Sequence, residues 1–202
     1  QMFAKGTFHA DIHSDNVMVD KDVNIALIDL GLIGTMNPQQ IEGAKRIMKG
    51  LLLHDVNVLY DGIRDMHASA DGEQKAEENR RLIDQRKKII IANIKKIFRK
   101  HYALNKEMHQ IVEAISREGL PGAQDFSSFM KAFITGIWLF PNTPQEGLKG
   151  MNALADALGM DRGQRNRTLF VHAWPEMRDF VWQRVKNYFA DLYLTRAAWR
   201  ML

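Results

Sequence analysis

Hydrophobic and polar residues follow two different periods along the chain. Near the start, the short runs Val17–Asp20 and Ile25–Ile28 flank a polar turn, Asp20–Asn24, and this pattern predicts an antiparallel hairpin. From Pro38 onward, apolar residues recur at the i, i+3, i+4 spacing of amphipathic helices. We therefore predict an α+β fold that is mostly α, with a short β-hairpin followed by a helical body.

Capping and breaking residues divide this helical body. Asn37 and Pro38 predict the start of the first helix, and Asp55 predicts the cap of the second. Residues 73–117 contain neither Pro nor Gly and predict one long helix with a break near Tyr102–Asn105. Further helices are predicted over residues 126–140, over residues 145–159 and from residue 175 onward.

The composition is that of an ordinary soluble globular protein, with 46% hydrophobic and 26% charged residues among 202. The absence of cysteine excludes a disulfide scaffold and thiolate chemistry. A net charge of +4 is too small by itself to indicate nucleic acid, and we expect no such partner. Neither a signal peptide nor a run of roughly 18 apolar residues is found, so we expect a cytoplasmic protein.

The stretch from residue 80 to residue 100 is strongly basic. It contains a single acid, Asp84, and several isoleucines at helical spacing. Its nine basic residues are Arg80, Arg81, Arg86, Lys87, Lys88, Lys95, Lys96, Arg99 and Lys100. A helix of this kind either lies on an anionic membrane surface, or packs its apolar stripe on the protein and leaves its charges in water. The first alternative predicts a peripheral association with membranes through residues 80–100.

Three polar residues flank the predicted hairpin. Asn16 directly precedes its first strand and Asp29 directly follows its second, so the hairpin brings an amide oxygen and a carboxylate to the same edge of a small sheet. Asp11, one loop earlier, can reach the same place. Oxygen ligands of this kind suit Mg²⁺, which keeps several waters and binds few protein groups together with substrate phosphates.

The order Asp, Asn, Asp is also the pattern of kinase-type phosphoryl transfer. In such sites a loop Asp orients or deprotonates the acceptor hydroxyl, while a loop Asn and a turn Asp bind the metal ions that hold ATP. The separation of Asp11 from Asn16 equals that in the H-R-D-L-x-x-x-N signature. Such a site also needs a loop over the phosphates and a strand lysine, which come before the catalytic loop in sequence. We therefore expect this chain to be a carboxyl-terminal lobe whose amino-terminal lobe is absent from it.

The loop and the turn resemble a known family. The segments FHADIHSDN at 8–16 and ALIDLGLIG at 26–34 are similar to F-H-A-D-P-H-P-G-N and L-D-F-G-x-x-G of the UbiB/AarF family of atypical protein-kinase-like proteins. The similarity covers about residues 6–66. The departures from the family pattern are Ile12, Ser14–Asp15 and Leu30.

The resemblance implies an ATP-dependent kinase or ATPase with a kinase-like carboxyl-terminal lobe over residues 1–202. The catalytic loop, hairpin and metal turn then occupy residues 1–36, and the helical body occupies residues 37–202. The family supports isoprenoid quinone (ubiquinone-type) biosynthesis or lipid handling at membranes. An isoprenoid lipid or quinone precursor is therefore an expected partner, together with the missing amino-terminal lobe.

The same resemblance assigns roles to individual residues. Asp11 corresponds to the catalytic acid of the loop, and Asn16 and Asp29 correspond to ligands of Mg²⁺ at an ATP site. His13 is expected to contact phosphate or substrate, and Gly31 belongs to the turn that binds the cofactor.

Neighbouring residues complete this picture. We expect His9 to support the loop by packing and hydrogen bonding. Gly31 and Gly34 are expected to give the turn backbone conformations that a Cβ would resist. His9 and His13 have the spacing of a helical zinc pair, but the segment predicts no helix and lacks the H-E-x-x-H pattern, so zinc is not favoured.

Two alternatives stay open at this stage. A small-molecule phosphotransferase of the aminoglycoside or choline kinase type uses a similar H-x-D-x-x-x-x-N loop, although Gly34 three residues after Gly31 favours the UbiB type. Without a lobe that covers the nucleotide, the chain would instead be a non-catalytic membrane- or lipid-binding module, and residues 80–100 would dominate its behaviour.

Overall fold

A computed structural model describes residues 2–11, 16–19, 25–29, 31–70, 72–100, 104–138 and 152–168. In chain order the elements are α1 (Met2–Lys5), β1 (Thr7–His9), β2 (Val17–Val19), β3 (Ile25–Leu27), β4 (Ile33–Thr35), α2 (Pro38–Leu53), α3 (Val56–Ala68), α4 (Glu73–Gln85), α5 (Lys87–Phe98), α6 (Leu104–Ser116), α7 (Ala123–Trp138), α8 (residues 152–157) and α9 (Arg162–Thr168). These elements confirm the predicted α+β class with mostly helical content. The predicted turn at 20–24 and the predicted helix from 175 onward lie outside the described residues.

The strands form two small antiparallel sheets. β2 pairs with β3, with Val17 opposite Leu27, so the predicted hairpin is confirmed. β1 pairs with β4, with His9 opposite Ile33, and this second sheet was not predicted. β1 and β4 lie on opposite sides of the hairpin in the sequence, so no turn between them marks them as partners, and only the return of the chain after Asp29 brings them together.

Both helix caps that the sequence predicts are present. The Asn37 side chain accepts from the N–H of Gln40 at 2.8 Å, and the Gln40 side chain accepts from the N–H of Asn37 at 2.9 Å. This reciprocal pair, with Pro38 in the first turn, satisfies backbone donors at the start of α2. Asp55 caps α3 by accepting from the N–H groups of Asn57 and Val58.

The predicted helix over 73–117 is corrected by a break at Arg86. There α4 ends and α5 begins, and Arg86 has φ −94° and ψ 1°. Both halves pack on α3. α3 has 13 residues and is about 20 Å long at 1.5 Å per residue, so a straight helix over both halves would run past it. Tertiary packing sets this break, because the sequence there has neither Pro nor Gly. α6 begins at Leu104, within the stretch where a break was predicted.

The apolar stripe of the basic stretch lies in the core. Its four isoleucines, all buried, are Ile83, Ile90, Ile94 and Ile97. Most of the nine basic side chains are exposed on the other side of α4 and α5. The stripe thus packs on the helical body, as the second interpretation predicted. Within the described residues, no helix combines the length and the apolar character needed to cross a bilayer.

A buried histidine makes the stability of this core depend on pH. His67 on α3 is fully buried, its Nδ1 donates to the carbonyl of Pro121, and its Nε2 has no hydrogen-bond partner among the described residues. Burial lowers the pKa of His67 from its ordinary value of 6.5, although the Pro121 carbonyl and the Asp125 carboxylate act in the opposite direction. The folded state therefore favours the neutral imidazole.

We expect the free energy of unfolding to fall as the pH drops below about 6.5, because the unfolded chain then binds a proton that the folded chain resists. The loss continues down to the lowered pKa of the folded state, with a slope of at most about 1.4 kcal/mol per pH unit from this group. Urea unfolding at several pH values measures it. His67→Gln should flatten this slope, whereas His109→Gln, on an exposed position of α6, should not. Equal slopes in the two variants would contradict the prediction.

Candidate active site

The three predicted polar residues lie at one end of the two sheets. Asp11 follows β1, Asn16 precedes β2 and Asp29 follows β3. The N–H of Ile28 donates to the carbonyl of Asn16 at 3.1 Å, which fixes the hairpin end that carries Asn16 and Asp29. Beside Asp11, the N–H of Ala10 donates to the carbonyl of Leu32 at 2.9 Å and links the loop to the chain that follows Asp29.

His9 joins the loop to the turn. Its ring is buried, with 8% of its surface exposed. Nδ1 accepts from the N–H of Asp11 at 3.2 Å, so the ring proton lies on Nε2, which donates to the carbonyl of Asp29. One imidazole thus connects the backbones of both acids. These hydrogen bonds give His9 the supporting role that was predicted for it.

Asn16 and Lys131 also bind Asp11, one at its backbone and the other at its carboxylate. The Asn16 side-chain nitrogen donates to the Asp11 carbonyl at 3.2 Å, and Asn16 is buried. The Lys131 ammonium donates to Oδ1 of Asp11 at 2.7 Å. In the sequence Lys131 appeared only as a charge inside an apolar run. No local signal could have connected it with a residue 120 positions earlier, because α7 carries it to the loop.

Gly31 and Gly34 both leave space that a side chain would fill. Gly34 has no left-handed φ, so space and not backbone conformation is the reason for a glycine at this position, which corrects the reason predicted for it. The Gly31 N–H donates to Oδ1 of Asp29 at 2.8 Å, and a Cβ on Gly31 would lie 3.0 Å from that oxygen. A Cβ on Gly34 would overlap the ring of Phe8 in β1. A larger residue at either place would therefore displace part of the site.

The oxygen atoms of Asn16 and Asp29 suit Mg²⁺ better than a metal ion whose ligands all come from the protein. The amide nitrogen of Asn16 donates to Asp11, so its oxygen is the atom through which Asn16 would bind a metal. Asp29 is exposed, and Gly31 donates to one of its two carboxylate oxygens. In the part of the chain that the structure describes, no three His, Cys, Asp or Glu side chains are grouped so that they could hold an ion. Mg²⁺ typically uses one or two protein ligands plus phosphates.

Four exposed apolar side chains belong to the hairpin and to the segment that follows it. Met18 on β2, Ile28 after β3 and Leu32 are each more than half exposed, and Ile33 on β4 is also exposed. Contiguous exposed apolar surface often marks a ligand or partner site. His13 lies outside the described residues, so its predicted contact with phosphate or substrate stays a prediction.

The comparison with protein families agrees with this site. Residues 1–62 match the family model of the ABC1 atypical kinase-like domain. No curated protein and no solved structure matches the chain significantly. The matched segment contains the loop, the hairpin, the turn, α2 and about half of α3. Residues 1–62, which hold every site residue predicted from the sequence, are thus similar to an atypical kinase-like domain, and the predicted resemblance to the UbiB/AarF family is confirmed.

Proposed function

We propose that this chain is the catalytic-loop and metal-binding part of an ATP- and Mg²⁺-dependent atypical kinase or ATPase of the UbiB type. The observation that carries the proposal is the buried His9, which hydrogen-bonds both to Asp11 and to the carbonyl of Asp29. A loop acid and a turn acid held at a fixed separation are what phosphoryl transfer needs, because its catalysis rests on positioning and charge stabilisation. The kinase-like match over residues 1–62 agrees with this use.

Each residue then has one role. Asp11 orients or deprotonates the acceptor, which is water or a substrate hydroxyl. Asn16 and Asp29 hold the metal through oxygen atoms, and Gly31 keeps the Asp29 carboxylate in place through its N–H. When bound, Mg²⁺ supplies charge neutralisation on the phosphate oxygens. The exposed Met18 and Ile28 offer apolar surface on which a nucleobase can pack.

The proposal extends to the whole chain and to its biological role. We propose that residues 1–202 form one kinase-like carboxyl-terminal lobe, and that an amino-terminal lobe completes the nucleotide site. Support for isoprenoid quinone biosynthesis or lipid handling, with an isoprenoid lipid or quinone precursor as the substrate or ligand, follows from the UbiB resemblance.

ATP hydrolysis with and without metal tests the proposed activity. We expect slow release of phosphate from ATP in Mg²⁺, loss of release when EDTA removes the metal, and recovery when Mg²⁺ is restored in excess, because Asn16 and Asp29 need the ion to hold the phosphates. The purified protein carrying this chain is used, and released phosphate is counted. Turnover that survives EDTA, or no turnover in Mg²⁺, contradicts the proposal.

A second proposal concerns the basic face of α4 and α5. The exposed Lys88 and Lys95 lie seven residues apart on one side of α5, and Ile89 and Leu82 are exposed in the same stretch. Because the isoleucine stripe is buried, we propose that this face meets an anionic membrane surface through charge, without inserting the helix. Each basic side chain near such a surface contributes about 1 kcal/mol, and salt weakens the attraction.

Liposome sedimentation tests this surface. We expect binding to vesicles with anionic lipid, little binding to neutral vesicles, and release at high salt. The double variant Lys88→Glu/Lys95→Glu should reduce binding strongly. Arg162→Glu/Arg167→Glu makes the same change of charge on exposed positions of α9 and should reduce it less. Binding that is indifferent to lipid charge and salt would exclude the basic face as the cause.

A further inference from the structure

Lys131 of α7 contacts the acid of the catalytic loop. Its ammonium lies 2.7 Å from Oδ1 of Asp11, and the two residues are 120 positions apart. Both side chains are accessible, with 63% of Lys131 and 49% of Asp11 exposed. An exposed ion pair adds only about 0–1 kcal/mol to folding stability. The contribution of this ion pair to folding stability therefore does not explain why position 131 is a lysine.

The core fixes where α7 lies relative to the loop. Phe129 and Phe133, on either side of Lys131 in the sequence, are both buried. Phe129 packs edge-on against Phe8 of β1, with ring centroids 6.3 Å apart. Phe129 and Phe133 both also contact the ring of Phe3. β1 leads directly to the loop that carries Asp11. Because the helix and the strand share this aromatic contact, the distance between Lys131 and the loop is set by packing and not by two mobile side chains alone.

The chemistry of the pair suits a phosphoryl-transfer site. A carboxylate that must accept a proton has to face the acceptor, and a fixed partner on Oδ1 limits the orientations that the Asp11 carboxylate can take. A lysine ammonium is a compact charge with three donors, so it can hold Asp11 while it faces further anionic groups. The same positive charge reduces the repulsion between Asp11 and the phosphates of an incoming nucleotide.

We propose that Lys131 is the positioning residue of Asp11, and that its contact with Oδ1 orients the Asp11 carboxylate toward the acceptor. This inference rests on the proposed function. In that reaction the acceptor oxygen bonds to the γ-phosphorus of ATP, the bond from this phosphorus to the bridging oxygen breaks and ADP leaves, and the acceptor proton passes to Asp11. Lys131 orients the carboxylate throughout and neither gains nor loses a proton.

Kinetics of Lys131 variants test the proposal. We expect Lys131→Met to lower kcat at least about tenfold and to change KM for ATP less than about twofold, because the acid and not nucleotide binding is disturbed. Lys131→Arg, which keeps the charge, should recover most of the lost kcat. Lys45→Met is the matched control, because it removes the lysine of another 2.7 Å ion pair, with Glu42, outside the site. Its kcat should equal that of the wild type.

Two further measurements test whether Lys131 affects kcat through Asp11. In an Asp11→Asn background, Lys131→Met should have little additional effect on kcat, since its partner is already lost. In the nucleotide-free protein, the ¹⁵N-resolved ammonium signal of Lys131 should be protected from exchange, and Asp11→Asn should remove this protection. Thermal unfolding of every variant verifies that it folds.

The outcomes separate this inference from the proposed function. If the wild type has no Mg²⁺-dependent turnover, or if Asp11→Asn keeps full activity, the proposed function fails and the inference fails with it. If Asp11→Asn loses activity but Lys131→Met keeps its kcat, the inference alone fails. If Lys131→Met lowers kcat equally in both backgrounds, Lys131 does not act through Asp11, and the positioning role is overturned.

Discussion

Gly62→Ala is expected to lower the free energy of unfolding by about 3 kcal/mol or more, at the upper end of the usual cost of overpacking a core. Gly62 lies on α3 where it crosses α2. A Cβ there would lie 2.5 Å from the backbone nitrogen of Ile47 and 2.8 Å from the carbonyl oxygen of Gly43. Both obstacles are main-chain atoms, so no side-chain rotation can relieve the overlap. α2 and α3 would have to move apart and open the core that they share.

Helix propensity alone predicts that Gly62→Ala raises the free energy of unfolding, so the experiment distinguishes this effect from the expected overlap. Alanine in place of glycine inside a helix gains up to about 1 kcal/mol when nothing obstructs the Cβ. Gly163→Ala in α9 is the matched control, since within the part of the chain that the structure describes a Cβ there meets only a side-chain oxygen of Asp161, at 3.3 Å. We expect Gly62→Ala to lower Tm by roughly 10 °C and Gly163→Ala to change it by no more than a few degrees. Equal Tm values for Gly62→Ala and the wild type would mean that the two helices do not meet at this glycine.

Features of the fold with local causes could be predicted from the sequence. The cap at Asn37 and the hairpin of β2 and β3 depend on neighbouring residues, and both are present. The break at Arg86 and the pairing of β1 with β4 depend on contacts between distant parts of the chain. Arg86 is not a helix-breaking residue, and the chain turns there because α4 and α5 both pack on α3. Local patterns do not contain this information.

The same distinction applies to the candidate site. The closeness of Asp11, Asn16 and Asp29 could be predicted, because one hairpin carries two of them and the loop before it carries the third. Their roles stay predictions. The sequence places Gly31 in the turn, whereas the 3.0 Å between a Cβ at this position and Oδ1 of Asp29 depends on how the turn folds. Lys131 could not be predicted, because its place beside Asp11 results from the aromatic packing between α7 and β1.

Asp29→Asn is expected to lower kcat/KM for Mg²⁺-ATP by at least about 100-fold, which corresponds to about 2.7 kcal/mol of lost transition-state stabilisation. The substitution keeps the shape of the side chain and an oxygen that can accept from the N–H of Gly31. It removes the negative charge that a divalent cation needs. Because ligand charge helps to set the affinity for the metal, the Mg²⁺ concentration at half-maximal rate should also rise.

Asp61→Asn provides the control for this charge, since Asp61 is a partly exposed acid of α3 whose ion pair with Arg64 is long, at 3.9 Å. Phosphate release is measured across a Mg²⁺ titration for both variants, with thermal unfolding to verify the fold. A pure loss of folding would lower the rate without shifting the Mg²⁺ dependence, whereas loss of a ligand shifts it. If Asp29→Asn keeps the wild-type rate at limiting Mg²⁺, Asp29 does not bind the metal. In that case the bond from His9 to its carbonyl serves only to shape the turn, because that bond does not involve the carboxylate.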